Sequence, residues 1–98
     1  MTAVLLVRRR IVLADDAFSE IVIWRVPQSV RPSGHDFKYR LAYVVDSQCV
    51  VRFDNEIGKG DHKHVGGVEA PYDFHSPDQL MADFRAEIAR WNHGHGRS

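Results

Sequence analysis

The chain has 98 residues, of which 44% are apolar, so it fits one small globular domain and wholesale disorder is excluded. Its 13 basic and 13 acidic side chains give a formal net charge of zero, which argues against tight, sequence-independent nucleic-acid binding but allows a local basic patch for an RNA substrate. The single cysteine, Cys49, excludes an intramolecular disulfide and, flanked by valines, is predicted to be a buried strand thiol. No stretch predicts a signal peptide or a membrane span, so we expect a cytoplasmic protein.

The first two predicted strands lie at residues 3–13 and 18–26. In the first, apolar side chains alternate with arginines. The second is rich in the aromatic and β-branched residues that suit a pleated surface. Asp15 and Asp16 favour a tight turn between them, and Pro27 ends the second strand because proline cannot donate to a strand ladder.

A second pair of strands is predicted at residues 36–45 and 48–54. The preceding segment, 28–35, contains Pro, Ser and Gly and is typical of a loop. Apolar and basic side chains then alternate along 36–45. Asp46 and Ser47 predict the turn that brings the next strand back antiparallel.

The C-terminal third changes to a helical period, which predicts a helix over about 77–92. Ser76 is a favoured N-cap, Pro77 suits the first helical position, and Gln79 completes a capping box. One apolar stripe then follows at helical spacing. It comprises Leu80, Phe84, Ile88 and Trp91.

Together these elements predict an α+β domain over residues 1–92, with a flexible tail at 93–98. The sheet is expected to be an antiparallel meander of four strands, with a fifth short strand near residues 65–68. The helix is expected to pack across one face of this sheet.

The segment "RFDNEIGKGDHKHVGG", residues 52–67, concentrates the titratable groups of the chain, and we expect it to be a loop. His62 and His64 are two positions apart, so both project from one side if the segment is extended. They could act as general acid and base, or bind a metal ion with Asp54 or Asp61 as a third ligand. A solvated polar hairpin loop explains either histidine taken singly.

Basic and glycine residues around these histidines could bind a phosphate. Lys59 and Lys63 could stabilise its charge, while Gly58 and Gly60 would let the backbone approach the anion. Residues elsewhere in the chain could extend this surface if the loops meet. These are His35, Lys38 and Arg40.

The runs "VIWRVP", "FKYRLAYVVD", "RFDNEIGKGDHKH" and "PYDF", followed by the short amphipathic helix, resemble the TumE-type toxins of bacterial toxin–antitoxin modules. The resemblance extends from about Leu5 to Trp91. It implies a growth-inhibiting toxin of a type II module, with a cognate antitoxin that carries a helix-turn-helix DNA-binding domain. Its most specific block comprises Asp54, Asn55, Gly58 to His62, and His64.

The leading hypothesis is an endoribonuclease-like toxin that acts on RNA or translation and needs no metal or other cofactor. One of His62 and His64 would deprotonate the ribose 2′-hydroxyl and the other would protonate the leaving 5′-oxygen. Lys59 would stabilise the phosphate, and Asp61 or Asp54 would orient a histidine. The expected substrate-binding residues are Lys63, Arg40, Lys38, His35, Asn55, Gly58 and Gly60.

Two alternatives remain open for the toxin. It could inhibit its target by binding without catalysis, or it could be a metal-dependent nuclease that uses His62, His64 and an aspartate. Independently of the chemistry, a small sheet leaves an open edge and apolar surface, so we expect either a homodimer or burial against the antitoxin, and no association with a membrane.

Overall fold

The computed structural model describes residues 2–97. It confirms an α+β fold in which an antiparallel meander is followed by one helix, with six strands rather than four or five. Each strand pairs with the next, so the order across the sheet is the order along the chain. The elements are β1 (Val4–Ala14), β2 (Ala17–Arg25), β3 (Phe37–Val45), β4 (Gln48–Glu56), β5 (Gly60–Val65), β6 (Val68–Pro71) and α1 (Pro77–Gly94).

Helix α1 covers one face of the sheet, which we call the helix face. Leu80 and Phe84 are buried there, and Phe84 meets Phe53 of β4 edge to face with ring centroids 6.0 Å apart. Removing one such aromatic side chain from a core costs about 3–5 kcal/mol. The rest of the buried apolar core comes mainly from the central strands, and comprises Ala17, Ile21, Ile23, Tyr39, Leu41, Tyr43, Val45 and Val51.

The helix begins as its sequence predicts and ends slightly later. Ser76 is the N-cap, and its hydroxyl accepts a hydrogen bond from the Gln79 amide at 3.1 Å. The Gln79 side chain donates to Asp83 at 2.8 Å instead of returning to the Ser76 amide, so the predicted capping box forms only in its Ser76 half. Beyond the end of the helix, Arg97 forms a two-point ion pair with Asp16 at 2.7 and 3.1 Å. No helix within residues 2–97 is long and apolar enough to cross a membrane.

The opposite face, which we call the open face, carries polar side chains in two rows set by the strand register. Antiparallel sheets commonly solvate one face in this way. One row is Arg10, Glu20, Ala42, Arg52, His64 and Glu69. The other is Arg8, Val22, Arg40, Asp54 and His62.

Most of the segment predicted as a loop is strand. Strand β4 continues to Glu56 and β5 runs from Gly60 to Val65, so within this segment only residues 57–59 and 66–67 turn. The fifth strand expected near 65–68 is also misplaced, because Gly66 and Gly67, with φ of 57° and 84°, form the turn between β5 and β6. The polar residues suggested a loop, but a strand pair accommodates them by alternating them between the two faces of the sheet.

Cys49 is exposed, so the prediction of a buried thiol is wrong. Strand β4 is irregular at this point, because Tyr43 pairs with Val51 while Val44 pairs with Cys49. The extra residue, Val50, is a bulge, and bulges redirect the neighbouring side chains.

Candidate functional site

The β4–β5 hairpin brings two histidines and an aspartate together on the open face. Asp54 lies opposite His62 in the register, and Arg52 lies opposite His64. The two imidazole rings are roughly perpendicular, with centroids 5.5 Å apart. As the spacing of two residues predicts, both rings project from the same side of an extended strand.

The ring of His62 is held in a defined orientation. Its side chain is only 4% exposed, and Nδ1 lies 3.0 Å from the Gly60 carbonyl oxygen. Because a carbonyl can only accept, Nδ1 carries the hydrogen and donates. The other ring nitrogen, Nε2, lies 2.6 Å from Asp54 Oδ1 and is the atom that remains for chemistry.

His64 is more accessible and lies beside a surface ion pair. Its Nε2 is 3.7 Å from Glu69 Oε1, and the same oxygen is 2.8 Å from Lys59 Nζ. The hydrogen bond between Lys59 and Glu69 raises the pKa of the lysine and lowers the pKa of the glutamate. Both groups are therefore charged at neutral pH, and Lys59 is positioned through Glu69 at the edge of the histidine pair.

Four buried side-chain atoms at this site lack an aligned hydrogen-bond partner within residues 2–97. Although His62 Nε2 and Asp54 Oδ1 are close, the contact does not have the direction of a hydrogen bond. Most buried polar atoms in folded proteins are paired, so such exceptions need an explanation. The four atoms are Arg52 Nε, Asp54 Oδ1, His62 Nε2 and His64 Nε2.

Asp61 lies on the helix face, because side chains of successive strand residues point to opposite sides. It does not contact His62 or His64, which it was expected to orient. Its Oδ2 instead lies 2.6 Å from His35 Nε2 and accepts a hydrogen bond from the Tyr39 hydroxyl at 2.8 Å. Its Oδ1 accepts a further hydrogen bond from the Ser33 hydroxyl.

Both ring nitrogens of His35 are used by this second cluster. Nδ1 accepts a hydrogen bond from the Phe37 amide at 3.1 Å, so Nε2 carries the hydrogen and donates to Asp61. The ring also stacks on Phe74 at a centroid distance of 3.9 Å. Burial and the contact with Asp61 raise the pKa of Tyr39 well above its ordinary range, so its hydroxyl stays protonated as a donor.

Asn55 and Gly60 shape the hairpin and the neighbouring loop. Asn55 is fully buried, and its side chain accepts from the Tyr39 amide at 3.0 Å and donates to the Phe37 carbonyl at 2.7 Å. Gly60 has a φ of 74°, and a Cβ atom there would lie 3.0 Å from Pro32 Cγ. These residues were expected to bind substrate, and the structure places their groups in internal contacts.

The predicted basic residues divide between the two faces. Lys63 lies on the helix face, 3.4 Å from a carboxylate oxygen of the buried Glu87. Lys38 donates to the Asn55 carbonyl at the end of β4. Arg40 is exposed and lies next to Asp54 in the open-face row. Gly58 is in the β4–β5 turn, where its amide donates to the Arg31 carbonyl at 2.8 Å.

A family model described as toxin TumE matches residues 2–92. The chain belongs to this toxin family. Membership in the TumE family implies that this toxin has a cognate antitoxin as its partner. No curated protein and no solved structure matches the chain.

Three residues near the histidine pair of this TumE-family toxin were missed from the sequence. One is Arg52, which lies beside His64. The other two are Glu56 and Glu69, whose carboxylates lie 3.9 and 4.0 Å from His62 Nε2. The positions of two hairpin turns could have predicted which residues pair with the histidines. A turn centred on Gly58 pairs Arg52 with His64, and a two-residue Gly-Gly turn pairs His64 with Glu69.

Proposed function

We propose that this toxin inhibits growth by cleaving RNA, with His62 and His64 as general base and general acid and without a metal ion. The observation that carries the proposal is the histidine pair on the open face, with ring centroids 5.5 Å apart and both Nε2 atoms unpartnered within residues 2–97. Histidine suits both roles because it exchanges protons near neutral pH.

His62 is assigned as the base. Its Nδ1 is committed to the Gly60 carbonyl, so Nε2 takes the proton from the ribose 2′-hydroxyl. Asp54, 2.6 Å away, then stabilises the imidazolium that forms. The carboxylates of Glu56 and Glu69 lie over this atom, and their side chains are 49% and 42% exposed, so they can move aside when RNA binds.

The reaction is a transesterification within the RNA. The 2′-oxygen forms a bond to phosphorus while the bond from phosphorus to the 5′-oxygen breaks, and His64 donates a proton to that leaving oxygen. The products are a 2′,3′-cyclic phosphate and a 5′-hydroxyl. Lys59 and Arg40, both on this side of the molecule, would stabilise the charge that develops on the phosphate. Arg52 would add to the same positive surface.

The test is incubation of total RNA with purified, tag-free protein in excess EDTA. The wild type should produce discrete fragments, and the His62→Gln/His64→Gln variant should leave the RNA intact. His75→Ala is the matched control, because this histidine is 67% exposed and lies beside Asp73, away from the pair. It should cleave like the wild type.

Other outcomes would contradict the proposal in distinguishable ways. RNA that is intact in EDTA but cut after addition of a divalent ion would indicate the metal-dependent alternative. RNA that stays intact throughout, with growth arrest at stoichiometric amounts of toxin, would indicate inhibition by binding.

A further inference from the structure

We infer that His62, His64 and Glu69 form a binding site for one divalent transition-metal ion, such as Zn²⁺. The three side chains offer two imidazole nitrogens and one carboxylate oxygen, and these ligand atoms lie within 4.8 Å of one another. Mixed nitrogen and oxygen ligands favour Zn²⁺ and its transition-metal neighbours over Mg²⁺ or Ca²⁺.

The distances from the Glu69 carboxylate to the two histidines are close to those around one shared ion. Glu69 Oε1 lies 3.7 Å from His64 Nε2 and 4.0 Å from His62 Nε2. In a tetrahedral Zn²⁺ site, ligand atoms that lie about 2.0–2.2 Å from the ion are about 3.3–3.6 Å from one another. The Glu69 oxygen is therefore close to this separation from His64 and somewhat too far from His62. Small movements of the exposed Glu69 side chain would bring the oxygen closer.

The unpartnered atoms point to a cation independently of the ligand count. His62 Nε2 and Asp54 Oδ1 belong to side chains that are 4% and 8% exposed, and neither atom has an aligned hydrogen bond within the described chain. The His64 Nε2 atom is in the same state. A bound ion would satisfy the nitrogens and attract the carboxylate.

The contact behind His62 is the one that a metal-binding histidine normally makes. Its Nδ1 donates to the Gly60 carbonyl at 3.0 Å, which fixes the ring and directs the Nε2 lone pair outward. Metal-bound histidines almost always donate their second nitrogen in this way. Asp54 and Glu56 add negative charge beside the same nitrogen, at 2.6 and 3.9 Å.

Lys59 competes with the ion for the carboxylate. Its ammonium lies 2.8 Å from Glu69 Oε1, the oxygen that the ion would use. Binding therefore requires Lys59 to swing away, and the lysine side chain is 49% exposed and free to do so. Replacing this lysine with an uncharged residue should tighten ion binding.

A consequence follows for activity, and it rests on the proposed function. The ion takes the same Nε2 atoms that general acid–base catalysis needs, so a loaded site cannot transfer protons. Zn²⁺ would act as a reversible inhibitor of the toxin.

The site is tested by titrating the full-length protein with Zn²⁺ against a chromophoric chelator. The protein carries no tag, and His93→Ala/His95→Ala is the background, which removes the histidines at the end of the chain. We expect one ion per chain, at least about tenfold weaker binding in Glu69→Gln and in His64→Ala, and tighter binding in Lys59→Met. His75→Ala should bind like the background.

Glu69→Gln is the decisive variant because its exposed, isosteric side chain leaves the fold intact. Zn²⁺ binding that is absent from the background, or unchanged in Glu69→Gln and His64→Ala, would overturn the site. Because binding is measured without RNA, this result is separate from any failure of cleavage. Cleavage that Zn²⁺ stimulates, or leaves unaffected at full occupancy, would overturn the inhibition.

Discussion

Asp61 and His62 are neighbours in the chain, yet they belong to clusters of opposite character. On the helix face, Asp61 receives hydrogen bonds from His35, Tyr39 and Ser33, and both nitrogens of that histidine are satisfied. On the open face, His62 and its neighbours carry buried polar atoms that lack aligned partners within residues 2–97. The first cluster has satisfied hydrogen bonds, as a structural network does, whereas the second has unsatisfied polar atoms, as a ligand-binding or catalytic site often does.

The comparison shows why composition alone misassigns residues in this segment. Six of the predicted site residues lie within 59–64, but a strand sends alternate side chains to opposite faces. Asp61 and Lys63 therefore stabilise the packing of a loop and of α1, while His62 and His64 face the opposite way. Proximity in the sequence does not place these groups in one site.

The largest expected effect is the loss of cleavage in His62→Gln. Removing a general base typically lowers the rate by about 10²–10⁴-fold. Because the glutamine has a similar size and can donate to the Gly60 carbonyl, the midpoint of urea unfolding should change little. Single-turnover cleavage of a short RNA in EDTA provides the measurement. A rate within a fewfold of the wild type would exclude His62 as the base.

The opposite result is expected for Asp61→Asn. Asparagine keeps one acceptor oxygen but replaces the other with an NH2 donor, so part of the donor set from the loop and β3 loses its acceptor and faces a second donor. This should lower the free energy of unfolding by about 2–4 kcal/mol. Urea denaturation followed by circular dichroism measures the change. The cleavage rate per folded molecule should stay close to that of the wild type, and a loss matching that of His62→Gln would place Asp61 in the active site.

Tyr39→Phe should produce a smaller, pH-dependent change. Loss of its hydrogen bond to Asp61 should cost about 1 kcal/mol at neutral pH. The folded state holds the pKa of Tyr39 above the ordinary value of 10.0, so the wild type loses stability as the pH rises and the unfolded chain ionises first.

The Tyr39→Phe variant is also the control for the loss of stability of the wild type at high pH. Below about pH 10 the wild type should be more stable than Tyr39→Phe, and above it the unfolding midpoints of the two proteins should approach each other, because phenylalanine has no proton to lose. If the unfolding midpoints of the wild type and Tyr39→Phe change in parallel with pH, Tyr39 is not the source of the loss of stability. The raised pKa of Tyr72 has the same sign and leaves a residual slope in both proteins.

Lys63→Met should have the smallest effect. The lysine is 32% exposed and pairs with Glu87, which keeps a second partner in Arg90 at 2.7 Å. The expected cost is about 1 kcal/mol or less, with cleavage unchanged. Thermal unfolding and the RNA assay measure the two quantities. A strong loss of cleavage would show that Lys63 binds the phosphate, as the sequence predicted.

Much of the fold could be predicted from patterns that local physics sets. Alternation, β-branched composition and turn residues predicted the first four strands, and Ser76 with Pro77 predicted the start of α1. In place of the two short strands β5 and β6, one strand was predicted near 65–68, because β5 and β6 carry polar residues that are also typical of loops. The turns at Gly58 and Gly66-Gly67 could have revealed them.

The candidate site was predictable only in part, for a geometric reason. The spacing of His62 and His64 sufficed to place them on one side, since both lie on one strand. Glu69 and Arg52 enter through strand pairing, and His35 meets Asp61 only because its loop folds back over the sheet. Contacts between distant segments have no local pattern.

The most direct test of the central claim is the chemistry of the RNA ends after cleavage in EDTA. Mass spectrometry of fragments from a defined RNA should find a 2′,3′-cyclic phosphate and a 5′-hydroxyl, and the His62→Gln/His64→Gln variant should give neither. Fragments ending in a 3′-hydroxyl and a 5′-phosphate, or no fragments at all, would contradict the account.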